Sequence, residues 1–333
     1  MRIAVTGAGG YVARNLVPTL VSQGHTVTAV DGSPTLPWTA EAAVRAVRAD
    51  VRDAPAMRAA LDGTDLVFHL AARITLRQTD PLAWSVNTDG VRTVARAALA
   101  VGVGRLVHCS SVHAYDLASG VIDETSPRAV RAGLPVYDRS KARGELELAR
   151  VVDAGLDAVT VNPTGIYGPV DHVGRLAPTN AVLRRAALGT AFLDVAGGFD
   201  FVDVRDVVAG LLLAARLGRT GEGYLLAGER LVMHEMLGAV AGLLGRRPPL
   251  LTVPFACARA IGVVAGPLSR RDGVDALSPA ALGTLRAAPH VCSGKARREL
   301  GYAPRPSRET LRDTAAFLVT SGALRRTRAR TGR

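Results

Sequence analysis

Short apolar runs alternate with longer amphipathic stretches through the first half of the chain. The apolar runs predict six strands, at 2–7, 25–31, 43–50, 65–72, 105–111 and 157–163. The stretches between them predict helices at roughly 10–22, 55–62, 81–101 and 137–154, with an irregular connection or one short helix at 32–42. Consecutive apolar positions are typical of strands buried on both faces. The alternation therefore predicts an α/β fold, a doubly wound parallel sheet with helices on both faces.

The pattern loosens after residue 165. Helices are predicted at 176–189 and 204–217, a strand at 223–228, and a mainly helical remainder at 233–321 that is interrupted by prolines. We therefore expect two structural parts and a tail. The sheet domain should comprise 1–167 and 204–228, and a smaller, mainly helical C-terminal part should comprise 168–203 and 229–322 and bind the substrate. Residues 323–333 should form a disordered basic tail.

Charge and composition bear on the partners. The formal net charge is +12, and the tail holds five arginines and no acid. A basic groove studded with aromatic residues is not visible, so we expect no nucleic-acid partner. The longest apolar runs, such as 207–215, are too short to span a bilayer, so we expect no membrane partner. Three scattered cysteines and no metal-ligand spacing of histidines predict neither a disulfide framework nor a metal site, and fit a cytoplasmic protein.

A glycine-rich turn follows the first strand. Gly7, Gly10 and Ala13 stand in a GxxGxxA spacing where the strand ends and a helix begins. Glycine lets the turn reverse tightly and lets a phosphate approach the backbone, while the helix N-terminus offers free N–H groups. This context predicts a binding site for the pyrophosphate of a dinucleotide.

Two aspartates end the following strands. Asp31 ends the second strand, and a carboxylate there can accept both ribose hydroxyls of an adenosine while repelling a 2′-phosphate. No arginine stands beside it in the sequence, so we predict NAD rather than NADP. The alternative is an aspartate that starts a turn. Asp50, at the end of the third strand, is predicted to lie near the adenine, or else to cap a helix.

Tyr137 and Lys141 lie four residues apart on a predicted helix, so their side chains share one face. An adjacent cation would lower the pKa of the phenol toward the working range of a general acid or base. Lys141 is one of only two lysines in the chain, which otherwise uses arginine. Ser110 and Ser111 stand at the carboxyl end of the fifth predicted strand, at the edge where open α/β sheets bind ligands, or else they form a turn or helix cap.

These residues, taken together, resemble a known family. The matching segments occur in order over nearly the whole chain: "TGAGGYVA" (6–13), "ADVRD" (49–53), "HLAA" (69–72), "SVNTDGVRTVARAA" (85–98), "CSSVHAY" (109–115), "YDRSK" (137–141), "NPTGIYGP" (162–169), "FVDVRDVVAGLLLA" (201–214) and "KARRELGYAPRPSRETL" (295–311). In this pattern the chain resembles the extended short-chain dehydrogenase/reductase superfamily, also called the NAD-dependent epimerase/dehydratase family. The resemblance implies a Rossmann sheet domain that binds NAD.

The resemblance also assigns roles to individual residues. The implied catalytic residues are Ser111, Tyr137 and Lys141. The implied cofactor-binding residues are Gly7, Gly10, Tyr11, Val12, Asp31, Asp50, Val51, Leu70, Ala71, Ala72, Asn87, Tyr137, Lys141 and Pro163. The implied substrate-binding residues are Ser111, His113, Asn162 and Phe199. For Asn87, a helix cap or a core hydrogen bond is an equal alternative.

Departures from the family pattern narrow the range of substrates that the resemblance implies. Ser111, Val112 and His113 replace the Thr-Asp-Glu of dehydratases, and Phe199 stands where nucleotide-sugar epimerases commonly hold an arginine. The chain is closer to dihydroflavonol-reductase-like and 3β-hydroxysteroid-dehydrogenase-like enzymes. We therefore expect an NAD-dependent oxidoreductase acting on a secondary alcohol or ketone. A sugar epimerase that recycles tightly bound NAD and a non-catalytic dinucleotide-binding regulator are the alternatives. The implied partners are a small-molecule substrate and a second copy of the chain, which would pack through 81–101 and 137–154.

Overall fold

A computed structural model describes residues 1–34, 36–38, 41–191, 193–258, 279–287 and 289–324. The strands in these ranges are β1 (Arg2–Thr6), β2 (Thr26–Asp31), β3 (Val44–Arg48), β4 (Leu66–His69), β5 (Arg105–Cys109), β6 (Val121–Ile122), β7 (Ala158–Pro163), β8 (Gly165–Tyr167), β9 (Leu193–Val195), β10 (Gly198–Asp203), β11 (Gly223–Leu226), β12 (Glu229–Val232), β13 (Leu251–Val253) and β14 (His290–Val291). The helices are α1 (Tyr11–Ser22), α2 (Ala54–Leu61), α3 (Pro81–Ala100), α4 (Val136–Asp153), α5 (Pro178–Ala187), α6 (Val204–Leu217), α7 (Met233–Leu243), α8 (Pro279–Ala287), α9 (Gly294–Leu300) and α10 (Ser307–Thr320), with 3-10 turns at Val112–Ala114 and Leu117–Ser119.

The largest sheet has seven strands in the order β11-β7-β5-β4-β1-β2-β3. Every neighbouring pair in it is parallel. Helices cover both faces, because one apolar cluster joins the sheet to α1 and α6 and another joins it to α2, α3 and α4. The predicted fold class, a doubly wound parallel sheet, is confirmed.

Alternation along β1 shows how the sheet is buried. Ile3 and Val5 belong to the cluster under α1 and α6, whereas Ala4 belongs to the cluster under α2, α3 and α4. Successive strand residues point to opposite faces, so an uninterrupted apolar run is what a strand covered on both sides requires. The carboxyl ends of the strands then meet at one edge of the sheet.

Capping aspartates fix where two of the helices begin. The carboxylate of Asp53 accepts from the Ala56 N–H at 3.0 Å, and that of Asp80 accepts from the Ala83 N–H at 3.0 Å. Such caps satisfy N–H groups that have no partner within the helix. The predicted helices at 55–62 and 81–101 therefore match α2 and α3 within one residue at each end.

Smaller sheets accompany the seven-stranded one. A three-stranded sheet has the order β12-β10-β8, and two-stranded pairs join β13 to β9 and β14 to β6. A separate apolar cluster includes Leu183 of α5, Met236 of α7 and Leu318 of α10. The sequence pattern did not predict strands β6, β8, β9, β10, β12, β13 and β14. Most of the predicted tail, from residue 325 on, lies outside the described residues.

Two expectations about partners concern the surface. Helices α3 and α4 pack against each other, and they expose Leu82, Trp84 and Leu146 at 42%, 37% and 43%. A homodimer through these helices stays a prediction. Among the described residues, no helix combines the length and the apolar character needed to cross a membrane.

Candidate active site

The glycine-rich turn lies directly against the segment that follows β4. Gly7 has a positive φ of 72°, and the Gly10 N–H donates to its carbonyl at 3.0 Å. A Cβ placed on Gly7 would lie 2.6 Å from the backbone nitrogen of Ala71 and 2.8 Å from the carbonyl carbon of Leu70. The turn therefore leaves no room for a side chain at this position. The structure thus brings together Gly7 and the predicted cofactor segment Leu70–Ala72.

Helix α1 begins at the end of this turn without a side-chain cap. Gly10 is its N-cap, and the first helical residues are Tyr11 and Val12. The N–H groups of a first helical turn have no partner within the helix and attract anions. The Tyr11 hydroxyl donates to the Gly168 carbonyl at 2.8 Å, and burial raises the pKa of Tyr11 well above its ordinary value. Tyr11 therefore anchors the 168 loop through its side chain, and its predicted cofactor contact would come from its backbone.

Asp31 stands at the end of β2 beside the turn. Its Oδ2 accepts from the Gly9 N–H at 2.9 Å, and its Oδ1 accepts from the Ser33 N–H at 2.8 Å. Two backbone donors hold the carboxylate in place next to the glycines. This is the arrangement expected of a carboxylate that accepts ribose hydroxyls.

Asp50 and Val51 have other contacts in this structure. Asp50 forms an ion pair with Arg52 at 2.6 Å, and hydrogen bonding from Arg52 lowers the pKa of Asp50. Val51 is buried, and a Cβ on Gly90 of α3 would lie 2.9 Å from its Cγ2. Val51 thus packs in the core between sheet and helix. The predicted cofactor contacts of both residues stay predictions.

Asn87 forms three hydrogen bonds within the protein. Its Oδ1 accepts from the Arg73 N–H at 2.8 Å, and its Nδ2 donates to the Arg73 carbonyl at 3.1 Å and to Ser140 Oγ at 2.9 Å. The side chain therefore ties the segment after β4 to α3 and α4. This is the core hydrogen bonding that the sequence offered as the alternative to cofactor binding.

Ser111, His113 and Tyr137 come together after β5. Ser111 caps the short turn Val112–Ala114, and its Oγ accepts from the His113 N–H at 3.2 Å. Its hydroxyl also lies near enough to the phenol of Tyr137, near the start of α4, to lower the pKa of that phenol. The rings of His113 and Tyr137 meet edge to face, with 5.5 Å between their centroids. The predicted catalytic serine and tyrosine are therefore neighbours at this edge of the sheet.

The pKa of Tyr137 corrects one expectation. The sequence predicted that Lys141 would lower it, but the pKa of Tyr137 is raised well above its ordinary value. Burial of the phenol is the main cause, and the nearby Ser111 hydroxyl acts in the opposite direction. The ammonium of Lys141 instead donates to the Cys109 carbonyl at 3.1 Å. The phenol of Tyr137 is therefore protonated at neutral pH.

Lys141 is almost completely buried, with 2% of its surface exposed. Burial lowers its pKa, while Cys109 and Glu145 act in the opposite direction. Tyr137, Lys141 and Glu145 follow at four-residue intervals on α4, so they share one face of the helix. The sequence reasoning missed Glu145. It lies one helical turn beyond Lys141, so continuing the four-residue spacing of Tyr137 and Lys141 would have found it.

Glu145 is the centre of a hydrogen-bonded chain that reaches Ser111. Its Oε1 accepts from Asn162 Nδ2 at 2.6 Å, and its Oε2 pairs with Nη1 of Arg128 at 2.6 Å. The same Asn162 Nδ2 donates to the Ser111 carbonyl at 3.0 Å. Asn162 is fully buried, and Pro163 follows it at the end of β7. The structure thus uses the Asn162 amide to hold Ser111, and its predicted substrate contact stays a prediction.

The predicted substrate residues His113 and Phe199 are neighbours. Their ring centroids lie 5.9 Å apart, and Phe199 also packs edge to face on Phe201 at 6.0 Å. His113 Nδ1 lies 2.9 Å from Oδ1 of Asp138, the residue after Tyr137. Sequence reasoning missed Asp138, because nothing in the local sequence indicates that it meets His113. An apolar wall and a polar dyad therefore border the Tyr137 phenol.

Two buried histidines lie beneath the site, at the ends of β4 and β5. The rings of His69 and His108 stack with 5.2 Å between centroids, and His69 Nδ1 lies 2.6 Å from Thr6 Oγ1. Burial lowers the pKa of His69 to about 3, and it lowers that of His108 well below its ordinary value. Both imidazoles are therefore neutral at physiological pH.

Three features around the glycine turn bear on whether a dinucleotide fits there. The close approach of Gly7 to Ala71 leaves bare backbone at the turn, the N-terminus of α1 opens behind it, and the Asp31 carboxylate is held beside it. Bare backbone with a helix N-terminus suits a pyrophosphate, and the carboxylate suits a ribose diol. The donor set therefore fits the predicted cofactor.

Comparisons with known proteins bear on the family to which the chain is similar. The family model "NAD dependent epimerase/dehydratase family" matches residues 3–227. "Sterol demethylase protein B" of Methylococcus capsulatus is 32% identical over 97% of this chain and 99% of its own length. "3 beta-hydroxysteroid dehydrogenase/Delta 5-->4-isomerase" of Mycobacterium tuberculosis is 29% identical over 91% of this chain and 86% of its own. The crystal structure of gox2253 superposes with a TM-score of 0.82 at 30% identity, covering 97% of this chain and 99% of that one. The resemblance inferred from the sequence is confirmed.

Proposed function

Because the chain belongs to the NAD dependent epimerase/dehydratase family, we propose that it is an NAD-dependent oxidoreductase that interconverts a secondary alcohol and a ketone. The observation that carries the proposal is the grouping of Ser111, His113 and Tyr137 at the carboxyl edge of the sheet. The glycine turn, the helix N-terminus and Asp31 would hold the dinucleotide at the same edge. The preference for NAD rests on the carboxylate of Asp31, which would repel a 2′-phosphate.

Different side chains would have different roles in the reaction at the substrate oxygen. When bound, NAD would accept or supply the hydride. Ser111 would hold the substrate oxygen by a hydrogen bond, and Tyr137 would move the proton to or from it. The raised pKa of Tyr137 keeps the phenol protonated, which suits proton donation to a carbonyl oxygen that is being reduced. Lys141, held on the Cys109 carbonyl, would bind the ribose hydroxyls of the cofactor.

An apolar substrate is the second part of the proposal. Phe199 and Phe201 form an aromatic wall next to His113, and both are nearly buried. A nucleotide sugar needs cations for its diphosphate, because charge-assisted hydrogen bonds contribute about 1.5–3 kcal/mol each. Phe199 supplies none. The names of the sterol and hydroxysteroid relatives support the same substrate class.

The epimerase alternative uses the same three catalytic residues, so the site alone does not separate the two. An oxidoreductase converts added NAD to NADH stoichiometrically, whereas an epimerase returns the hydride and produces no net NADH. Dehydroepiandrosterone, a hydroxysteroid, and UDP-glucose are therefore the two probes. We expect net NADH with the steroid and neither NADH nor UDP-galactose with UDP-glucose.

The decisive variant is Tyr137→Phe, which deletes one hydroxyl. It should reduce kcat/KM with dehydroepiandrosterone by about 10²–10⁴-fold, as loss of a general acid or base does. NADH binding, measured by fluorescence titration, should stay within about twofold, since only the phenol oxygen is lost. Tyr302→Phe is the matched control, because its hydroxyl bonds the Ala227 carbonyl away from the site.

Two results would contradict the proposal. Full activity of Tyr137→Phe would remove the phenol from the mechanism. Conversion of UDP-glucose to UDP-galactose without net NADH would instead assign the chain to the epimerases.

A further inference from the structure

Three leucines are strongly exposed in the segment that runs from the end of α7 to the start of β13. Leu250 and Leu251 are 71% and 64% exposed, more than any other large hydrophobic side chain in the described part of the chain, and Leu243 is 50% exposed. Single exposed leucines are common on protein surfaces, whereas several close together mark a surface that contacts another molecule. We refer to residues 243–251 as the leucine segment.

The protein holds the backbone of the leucine segment in place. Leu244 packs against the apolar cluster that includes Met236 and Leu237 of α7, and Pro249 is buried. β13 begins at Leu251 and pairs with β9. The segment is therefore attached to the fold on one side, while its exposed leucines project outward on the other.

The charged side chains of the leucine segment are two arginines. Arg246 and Arg247 are exposed, and neither side chain has a hydrogen bond or ion pair with another described residue. The sequence contains no aspartate or glutamate from 236 to 258. Asp194 lies on the neighbouring strand β9, but its carboxylate is buried and lies 3.0 Å from Nδ1 of His234. The segment therefore presents uncompensated positive charge beside its leucines.

We propose that the leucine segment docks this protein on the surface of a membrane that contains anionic lipids. The leucines would enter the boundary between headgroups and acyl chains, and the two arginines would remain among the lipid phosphates. The expectation of no membrane partner considered only apolar runs that are long enough to span a bilayer. A segment that lies on the membrane surface needs no such run.

The combination of side chains favours a lipid surface over other partners. A nucleic acid offers phosphates to the arginines, but its backbone offers no apolar layer to the leucines. A second protein would bury the leucines, but it would need carboxylates placed opposite the arginines to compensate their charge. An anionic membrane supplies an apolar layer and a layer of negative charge together, without requiring a fixed geometry.

The leucine segment is connected with the strand that carries Phe199. The Ala196 N–H donates to the Val253 carbonyl at 3.0 Å, which extends the pairing of β9 with β13. Phe199, a predicted substrate residue, follows three residues later in β10. Docking would therefore bring this part of the protein toward the lipid phase, in which an apolar substrate dissolves. That consequence rests on the proposed function, whereas the docking itself does not.

Vesicle sedimentation with the full-length protein tests the proposal. The probes are vesicles of phosphatidylcholine alone and vesicles of phosphatidylcholine and phosphatidylglycerol in equal parts. We expect the protein to sediment with the anionic vesicles and far less with the neutral ones. Raising the salt from about 0.1 M to about 1 M should weaken the binding, because it shortens the screening length from about 10 Å to about 3 Å.

The double variant Leu250→Ser, Leu251→Ser separates docking from the general attraction of a basic chain, since it keeps every charge. Its partition onto the anionic vesicles should fall by about 10²-fold or more, because each CH₂ group buried in lipid contributes about fourfold. Leu217→Ser is the matched control, because Leu217 is also exposed but lies at the end of α6. It should bind as the wild type does.

The arginines are tested by the double variant Arg246→Gln, Arg247→Gln. It should bind the anionic vesicles about 30-fold more weakly, since each arginine near an anionic surface contributes about fivefold. Its binding to phosphatidylcholine alone should stay within about twofold of wild type, because those vesicles carry no net charge.

A tryptophan variant keeps the proposal testable if the serine variants fold poorly, which thermal melting would show. Leu250→Trp places a fluorescent side chain at the most exposed leucine of the segment. Vesicles with brominated acyl chains should quench its fluorescence more strongly than that of Leu217→Trp, because only the first tryptophan would enter the lipid. Equal quenching of the two variants would contradict insertion.

The remaining outcomes also decide the proposal. Wild-type protein that does not sediment with the anionic vesicles would overturn it, and so would equal partition of the wild type and the leucine variant. Loss of self-association in the leucine variant, with vesicle binding unchanged, would assign the segment to contacts between copies of the chain instead. None of these results bears on the oxidoreductase function, which Tyr137→Phe tests in the absence of vesicles.

Discussion

The glycine turn and the Tyr137 cluster lie at the same edge of the sheet but are built differently. The turn is one continuous segment whose contacts come from backbone atoms, such as Gly7 against Ala71. The cluster joins side chains from three distant segments, at 111–113, at 137–141 and at 199. The turn thus depends on a close approach of two backbone segments, whereas the cluster depends on how side chains carried by β5, α4 and β10 pack.

This difference predicts that the two regions are sensitive to different kinds of substitution. A backbone site fails when any atom is added, because no rotamer change can relieve the contact. A side-chain site fails when an orienting partner is removed, even if that partner never touches the substrate. Substitutions at Gly7 and Glu145 separate these two cases.

The largest effect is expected for Gly7→Ala. Its added Cβ would lie 2.6 Å from the Ala71 nitrogen, at a residue whose φ is 72°. Strain and overpacking together should reduce the free energy of unfolding by about 2–5 kcal/mol. NAD binding should be lost, since the turn must move. Chemical denaturation and isothermal titration measure both quantities.

Gly24→Ala is the matched control for Gly7→Ala. Gly24 has a similar φ of 80°, but a Cβ placed on it would have no neighbouring atom within 4 Å. The substitution should cost only the conformational strain, about 1–2 kcal/mol, and leave NAD affinity unchanged. Equal losses in the two variants would show that crowding at Ala71 is irrelevant.

A smaller effect is expected for Glu145→Gln. The variant removes the charge that keeps the pKa of Lys141 from falling further and weakens the hold on Asn162. We expect kcat/KM to fall about tenfold, equivalent to about 1.4 kcal/mol. The alkaline limit of activity should move to lower pH, because Lys141 loses its proton more easily. A pH profile of kcat measures this shift.

Glu147→Gln controls for general damage to α4. Glu147 is also buried on this helix, but it pairs with Arg92, Arg143 and Arg150. It should cost stability without moving the pH profile. An identical shift in both variants would mean that Glu145 acts only through folding.

A further effect appears only at acidic pH and concerns the buried His69. His69 has a pKa of about 3 in the folded chain against an ordinary 6.5, so it is neutral when folded. Its stabilising contribution is complete above pH 6.5 and is lost as the pH falls toward 3. The stability advantage over His69→Gln should therefore shrink by about 1.4 kcal/mol per pH unit in that window. Urea unfolding at several pH values tests this, and a constant difference would contradict it.

The sequence pattern predicted those helices and strands whose limits are set by residues within each segment. The strands and helices of the first 165 residues match within a few positions, because apolar runs, capping aspartates and glycine turns lie within each segment. Strands β6, β8, β9, β10, β12, β13 and β14 were missed. All of them except β10 have two to four residues. β10 pairs with β8 and β12 across long sequence separations, so no local periodicity indicates these pairings.

The residues of the site also divide into those that local spacing predicted and those that it missed. Ser111, Tyr137 and Lys141 were found from spacing and from the sheet edge. Asp138 was missed because its partner His113 lies 25 residues away. The predicted lowering of the pKa of Tyr137 was wrong because spacing reports proximity and carries no information on burial, which is the dominant cause here.

The scarcity of lysine turns Lys141 into a reporter of local opening. A lysine-specific protease has two cleavage sites in this chain, after Lys141 and after Lys295. The peptide bond after Lys141 lies inside α4, with its side chain buried, and cleavage there requires the helix to unfold locally. The rate at which the fragment 1–141 forms under native conditions would therefore measure how often the helix that carries Tyr137 opens, and how far a bound dinucleotide suppresses that opening.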